Sequence, residues 1–154
     1  MKKICFFFLV LICCFLSAGA VDLKQCRIVV AEEDAALVKK MGVVLSEDIE
    51  RVTGVKPVVE TSGTASSKNE VVLATVEHLP ASLGVDVSDI KGCWERYKIV
   101  TKGNHLIIVG SDPRGTAYGA FHVSERIGVS PWYWFADVPV QKKKTLDYKE
   151  NYND

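Results

Sequence analysis

The spacing of apolar residues changes several times along the chain, and each spacing predicts a different element. Residues 27–31 are a short β-branched run, which predicts a strand. From Leu37 onward apolar residues recur at intervals of three and four, which is typical of one face of a helix. The acidic residues 32–34 suit the start of that helix and Gly54 suits its end. We therefore predict an amphipathic helix over about residues 33–53.

Two further strands are predicted before the middle of the chain. Residues 57–60 can form a strand that begins at a proline, and the loop over 61–68 is rich in serine, threonine and glycine. Residues 70–75 contain few polar positions, which is typical of a strand inside a sheet. Residues 77–92 show no clear period and are predicted to be irregular, with one helical turn around residues 80–83.

A hairpin and a second helix are predicted next. Residues 97–101 and 105–109 flank the turn signature Lys-Gly-Asn. Asp112 is a favourable N-cap residue and precedes a proline, so we predict a helix from Pro113 to about Ile127. One face of this helix is mostly small, which suits close packing. It consists of Ala117, Ala120, Phe121, Ser124 and Gly128.

The order strand, helix, strand, strand, hairpin, helix predicts an α/β fold of the α+β kind, with a mixed β-sheet and two main helices. Neither an internal repeat nor a linker divides this region, so residues 21–140 are expected to form one domain. Residues 141–154 are polar, with lysines at 142–144, and we expect this tail to be extended or frayed.

The first twenty residues differ from the rest. Two lysines precede an unbroken apolar run over 4–16, and Ala-Gly-Ala over 18–20 is a small-residue cleavage site. The apolar run is shorter than the ~20 residues that span a membrane. We therefore predict that residues 1–20 are a signal peptide cleaved after Ala20. The mature protein is then exported, to the periplasm or the medium, without a membrane partner.

Charge and cysteine content narrow the possible partners. The 154 residues include 19 basic and 19 acidic side chains, and loss of the signal peptide leaves a net charge of −2. This balance argues against nucleic acid as a partner, because such binders carry a basic field. Only Cys26 and Cys93 lie beyond residue 20. They could form a disulfide in an oxidising compartment or remain two free thiols, and the sequence leaves both possibilities open.

No motif predicts a cofactor, a metal site or a catalytic residue. The glycine-containing junction over 110–116 lacks the lysine of a phosphate loop and the spacing of a dinucleotide-binding fingerprint. His78, His105 and His122 lack the spacing of metal ligands, and we expect them to be satisfied surface or core residues. The acidic clusters are explained by helix starts and a solvated face.

Four of the ten aromatic residues beyond residue 20 are consecutive, namely Trp132, Tyr133, Trp134 and Phe135. In a strand, Trp132 and Trp134 would share one face and the other two the opposite face. A domain of this size can bury one such face in its own core, so the second face predicts a partner surface or a ligand. Packing within the domain or against a neighbour is the favoured interpretation, and stacking on a sugar is the alternative.

Residues 110–140, GSDPRGTAYGAFHVSERIGVSPWYWFADVPV, closely resemble the N-terminal domain of family 115 of the glycoside hydrolases, the xylan α-1,2-glucuronidases. The resemblance rests on the helix start Asp-x-Arg-Gly-Thr, on Ser-Glu-x-Ile-Gly-Val-Ser-Pro-Trp-Tyr-Trp and on Ala-Asp-Val-Pro. It is looser over residues 27–101, where the order of elements agrees. Related N-terminal domains accompany family 67 α-glucuronidases and β-hexosaminidases.

The resemblance implies a β-hexosaminidase-like N-terminal α/β domain without catalytic residues or cofactors, which packs beside a catalytic (β/α)8 barrel. Enzymes of the family remove glucuronic acid or its 4-O-methyl form from xylan with inversion, which needs an acid and a base about 6.5–9.5 Å apart. A barrel of about 250 residues does not fit in this chain. We therefore expect an accessory domain of an exported glycoside hydrolase, in a truncated or split chain that lacks the barrel.

Two other functions stay open. A stand-alone carbohydrate-binding module would use Trp132 and Trp134 as a stacking platform for a xylan-type polysaccharide. A structural or protein-interaction domain would place the same aromatic residues against a protein. Asp112 and Arg114 open the second helix and could reach a neighbouring domain, although a capped helix with a surface arginine is the favoured explanation. The candidate barrel-docking or sugar-facing residues are Trp132, Tyr133, Trp134, Asp137, Asp112 and Arg114.

Overall fold

The structure is a computed structural model that describes residues 19–61 and 69–154. The predicted signal peptide lies outside the described residues except for its last two positions. No helix in the described ranges combines the length and apolar character that crossing a membrane requires.

A six-stranded mixed sheet forms the centre of the molecule, as the sequence predicts. The strands are β2 (Arg27–Val30), β3 (Val58–Thr61), β4 (Glu70–Thr75), β5 (Tyr97–Lys102), β6 (His105–Gly110) and β8 (Asn151–Asn153). Their order across the sheet is β3-β2-β4-β6-β5-β8. The first four strands in this order are parallel to one another, and β5 runs antiparallel to both of its neighbours. A separate two-stranded ribbon pairs β1 (Val21–Asp22) with β7 (Asp147–Tyr148).

Two long helices, α1 (Ala36–Thr53) and α2 (Pro113–Ile127), cover one face of the sheet. Helix α2 has the predicted bounds, whereas α1 begins three residues later than predicted. The reason is Asp34, whose buried carboxylate accepts hydrogen bonds from the backbone N–H groups of Ala35 and Thr75 at 2.8 and 2.9 Å. The hydrogen bond from Thr75 joins the turn before α1 to the end of β4.

The core has one cluster on each face of the sheet. The larger cluster joins both helices to alternate residues of the strands, such as Ile28, Leu73 and Ile108. The smaller cluster contains Val72 and Ile107, and the irregular loop before β5 covers it. The predicted turn in that loop is present as a 3-10 turn (Ala81–Leu83). All six residues of β4 are buried, which confirms its prediction as an inner strand.

We call residues 141–154 the C-terminal strap. The strap is extended, which is one of the two predicted possibilities, and it is not frayed. The backbone N–H and the ammonium of Lys143 donate to the carbonyls of Val52 and Ile127, both at 2.8 Å. These carbonyls lie in the last turns of α1 and α2, where free acceptors and the helix dipole favour a cation. The strap then pairs with β1 and β5. A run of polar residues therefore became ordered by capping two helices.

The strap also carries a polar cluster around Glu150. Its carboxylate accepts a hydrogen bond from the Tyr148 hydroxyl and lies 3.3 Å from Nε2 of His122 and 3.4 Å from the guanidinium of Arg126. Burial raises the pKa of the Tyr148 hydroxyl, and the bond to Glu150 adds to this effect. Nδ1 of His122 lies 3.0 Å from the Tyr97 hydroxyl. The cluster fixes the end of the strap to α2.

Cys26 and Cys93 are both free thiols. Of the two possibilities that the sequence left open, the disulfide therefore does not form. Cys26 is buried before β2, where the parallel strands begin, and its Sγ donates to the carbonyl of Leu23 at 3.2 Å. Cys93 is exposed and precedes Tyr97, which pairs with Gly110 at the end where the parallel strands finish. Strands of six residues are about 20 Å long, whereas a disulfide requires Cα atoms within about 7 Å.

The two thiols should react at very different rates. Burial raises the pKa of the Cys26 thiol to about 12, so almost none of it is thiolate at neutral pH. We expect a thiol reagent to modify Cys93 in the folded protein beginning at Val21, and Cys26 only after unfolding in denaturant. Mass spectrometry of the labelled protein measures this. Two modified cysteines under native conditions, or none, would contradict the arrangement.

Candidate functional site

The first predicted site residue, Asp112, is the N-cap of α2. One carboxylate oxygen accepts from the backbone N–H of Gly115 and the other from that of Glu95, both at 2.8 Å. Pro113 occupies the first helical position, where no N–H partner is needed. Asp112 therefore stabilises the helix and also holds the segment that leads into β5.

Arg114 has a partner within its own domain. Its guanidinium lies 2.7 Å from the carboxylate of Glu95, a residue in the left-handed conformation with φ of 57°. Hydrogen bonds from Arg114 and then from the indole of Trp94 hold the pKa of the Glu95 carboxyl below its usual value. Arg114 thus orders the loop around Trp94, and 65% of its side chain remains exposed.

Two glycines of α2 allow the helix to lie directly on the sheet. A Cβ atom at Gly115 would come within 2.1 Å of the carbonyl oxygen of Arg96, and one at Gly119 within 2.7 Å of the Ile108 side chain. No real Cβ contact is that short. The glycines of this junction, which resemble a phosphate loop at first sight, therefore serve close packing.

The opposite side of α2 is aromatic and exposed. Tyr118 is 45% and Phe121 52% exposed. The small stripe predicted for this helix is buried at Ala117, Ala120 and Ser124, but the inclusion of Phe121 in it is wrong. Phe121 lies at the margin of the stripe, where the approach of the sheet leaves no space for a ring.

Residues 132–135 do not have the strand geometry in which their aromatic side chains would alternate between two faces. Residues Tyr133–Ala136 form a single helical turn, α3. The cause is the Ser-Pro pair before it, which favours a turn. The hydroxyl oxygen of Ser130 accepts from the N–H of Trp132 at 3.2 Å, and its carbonyl accepts from that of Tyr133 at 2.9 Å.

The aromatic residues of this turn therefore do not alternate between two faces. Trp132 is 66% and Phe135 85% exposed, and their spacing of three residues places them on the same side. Tyr133 is half-buried against the larger core cluster, and the Arg51 guanidinium lies 5.2 Å from its ring centre. The Trp134 side chain lies outside the described part of the structure. Asp137 is exposed and ends the turn with φ of 47°.

These exposed side chains define one surface, which we call the aromatic face. Tyr118 and Phe121 follow one another along α2, Phe135 lies with them around the same groove, and the Tyr118 hydroxyl donates to Glu95 beside Trp94 at 3.4 Å. The candidate residues at the start of α2 and those in α3 lie at opposite ends of a helix about 22 Å long. Tyr118 and Phe121 connect them. The aromatic face consists of Trp94, Tyr118, Phe121, Trp132 and Phe135.

A groove of about 470 Å³ follows the aromatic face between α1 and the end of α2. Its walls include Val44 and Asp48 from α1 and Phe121 and Ser124 from α2. Ser124 is 4% exposed, and its hydroxyl oxygen is the one buried side-chain polar atom without a hydrogen-bond partner among the described residues. A serine in this position commonly bonds to a carbonyl of the preceding turn.

A second cavity of about 300 Å³ lies where β4 and β6 end, and several of its polar residues bond within the fold. Asp34 bridges two elements as described, and Nδ1 of His78 lies 3.0 Å from the hydroxyl of Thr75. His105 lies 3.3 Å from the buried Glu70. The residues described contain no group of three or more His, Cys, Asp or Glu side chains that could hold a metal ion.

Comparisons with known proteins bear directly on this arrangement. The profile of the family described as "Glycosyl hydrolase family 67 N-terminus" matches residues 19–123, which is more than half of the chain. The chain belongs to this family. The match includes the strands and first helix over residues 27–101, where the sequence resemblance was looser, and it ends within α2. None of the curated proteins matches the chain.

Similar domains occur in solved structures. The chain is similar to "A novel family GH115 4-O-Methyl-alpha-glucuronidase, BtGH115A, with specificity for decorated arabinogalactans", with 27% identity and a TM-score of 0.70 over 84% of this chain. It spans 17% of the length of that protein. The protein titled "Structure of CpGH84D" shares the fold, with 17% identity and a TM-score of 0.50 over 70% of this chain and 18% of its own. The predicted resemblance to a glucuronidase N-terminal domain is confirmed.

The close contact of Gly115 gives a test of how this family's domain is held together. The carbonyl of Arg96 belongs to the backbone and cannot rotate away, so Gly115→Ala should lower the free energy of unfolding by at least about 2 kcal/mol. Chemical denaturation measures this value. The neighbouring Arg114→Ala should have a much smaller effect, because it removes only an exposed ion pair. Equal effects of the two changes would contradict the contact.

The unpartnered hydroxyl in the groove gives a second test. Ser124→Ala should raise the free energy of unfolding by about 1 kcal/mol, because a buried group without a partner is removed. Thr116→Val is the matched control, since its buried hydroxyl donates to the carbonyl of Ala74 at 3.0 Å. That variant should lose about 1 kcal/mol. If denaturation shows that both variants lose stability, the Ser124 hydroxyl has a partner after all.

Proposed function

We propose that this chain is the accessory N-terminal domain of an exported glycoside hydrolase that removes glucuronic acid, or its 4-O-methyl form, from a decorated polysaccharide. The domain contributes no catalytic residue. It binds the catalytic (β/α)8 barrel through the aromatic face, and hydrolysis takes place in the barrel.

The observation that carries this proposal is the exposure of the aromatic face in a domain whose core is already complete. Trp94, Trp132 and Phe135 are each at least 66% exposed. Large aromatic side chains that share one surface mark an interaction site, since their burial against a partner is the main gain of free energy in docking. The family relationship makes the remainder of a glycosidase the appropriate partner.

A non-catalytic role is supported by the way in which buried and half-buried carboxylates are used. Asp34 and Asp112 accept backbone hydrogen bonds, and Asp48 lies 2.6 Å from the guanidinium of Arg51. Each of these acids stabilises the local fold. An inverting hydrolase instead needs two carboxyl groups that face each other across a substrate.

Our proposal for the substrate concerns only the sugar that is removed from the polysaccharide. The relative named above is a 4-O-methyl-α-glucuronidase with specificity for decorated arabinogalactans, whereas the sequence resemblance implies xylan. Both descriptions share an α-linked glucuronic acid that may carry a methyl group. We therefore assign this sugar to the complete enzyme and leave the polysaccharide backbone unspecified.

A stand-alone carbohydrate-binding module has less support. Its platform would require Trp132 and Trp134 to present their rings side by side, as they would in a strand. The backbone over Tyr133–Ala136 is the helical turn α3, and not the strand that such a platform would require.

The test begins with the coding sequence that follows the codon of Asp154. We expect it to encode a barrel, in frame or after a frameshift, and we expect that barrel, produced separately, to bind this chain. Phe121→Ser and Phe135→Ser should each weaken the association at least about tenfold, as truncation of a buried aromatic anchor does. Titration calorimetry measures the affinity.

Val58→Ser is the matched control, because Val58 is 63% exposed on the edge strand β3 away from the aromatic face. It should leave the affinity unchanged. The chain alone should release no glucuronic acid from glucuronoxylan or arabinogalactan. An unrelated sequence downstream, association that ignores both phenylalanines, or hydrolysis by the isolated chain would each overturn the proposal.

A further inference from the structure

The residues that line the groove beside the aromatic face define the chemistry of its binding partner more closely than the aromatic rings alone do. Its lining includes two carboxylates, Asp48 and Glu125, and one imidazole, His122, and neither lysine nor arginine lines it. Asp48 is occupied by Arg51, and His122 by Tyr97 and Glu150. The carboxylate of Glu125 has no ion-pair or hydrogen-bond partner in the described part of the chain and is exposed.

The walls next to Glu125 are apolar. The rings of Phe121 and Phe135 and the side chains of Val44 and Val129 line the same groove. The groove therefore offers two flat rings and one free negative charge, and neither lysine nor arginine lines it to balance that charge.

We propose that this groove receives an arginine side chain of the catalytic part of the enzyme. The aliphatic stem packs against Phe121 and Phe135, and the guanidinium meets the carboxylate of Glu125. This inference rests on the proposed function, since it names the chemistry of the partner at the aromatic face. Docking supplies the cation that the groove lacks.

Arginine fits these features better than other side chains. Its planar guanidinium stacks on aromatic rings while its five N–H groups donate in the same plane. Its stem covers apolar surface, and arginine is enriched at the centres of protein interfaces. A glucuronic acid residue would bring a second negative charge beside Glu125, so an acidic sugar is disfavoured in this groove.

The probe is the blocked tripeptide acetyl-Leu-Arg-Leu-amide, compared with the same peptide carrying citrulline, which has nearly the same shape without the charge. We expect saturable shifts of the backbone amide signals of Phe121, Ser124 and Glu125 in NMR titrations at low salt. The arginine peptide should bind roughly threefold more tightly, the size of one partly exposed ion pair. High salt should remove this difference.

Glu125→Gln should make the two peptides bind equally while leaving the affinity for the citrulline peptide unchanged. Glu32→Gln is the matched control, because Glu32 is an exposed carboxylate that does not line the groove. It should preserve the preference for arginine. Free glucuronic acid should produce no shifts at the groove.

The outcomes separate this inference from the proposed function. Equal binding of both peptides by the unaltered protein, or no shifts at the groove, overturns the arginine assignment even if the barrel still binds through Phe121 and Phe135. A preference for arginine that Glu125→Gln abolishes supports the assignment even if no barrel associates. Shifts caused by glucuronic acid at these amides would show a sugar site instead and would also overturn it.

Discussion

The rest of the structure depends on the contact between the backbone of α2 and the sheet. At Gly115 and Gly119 the helix lies so close to Arg96 and Ile108 that even a methyl group would overlap them. This contact is possible only because small residues occupy the inner side of the helix there, and the large side chains of Tyr118 and Phe121 lie outside. The aromatic face is therefore a consequence of close packing on the opposite side of the same helix.

Local signals in the sequence predicted most elements correctly because each is stabilised by its own residues. The N-cap of α2, the Lys-Gly-Asn hairpin and the buried strand β4 depend on interactions that the pattern itself contains. The errors occurred where distant contacts decide. Asp34 bonds to Thr75, which shortens α1, and Lys143 finds the carbonyls of two helices that are remote in sequence.

The candidate site was predicted in part for the same reason. Trp132, Asp112 and Arg114 were identified from sequence, but the surface that joins them required the orientation of α2. Phe121 was assigned to the buried side because its position is marginal, and only the distance between helix and sheet settles it. A signal was present: Tyr118, Phe121 and Glu125 recur at intervals of three and four beside the small residues. The free carboxylate of Glu125 could not be recognised without knowing which acids have partners.

The pairing of β1 with β7 has a consequence for the order in which the fold forms. Val21 meets Tyr148, so the ribbon closes a loop that contains nearly the whole domain. A chain that emerges N-terminus first, from a ribosome or a membrane pore, cannot protect its first strand until residues 146–148 have followed. Contacts of such long sequence separation form slowly. Residues 21–22 therefore emerge well before their partner and are among the last to become structured, and until then the unpaired strand remains accessible to chaperones and proteases.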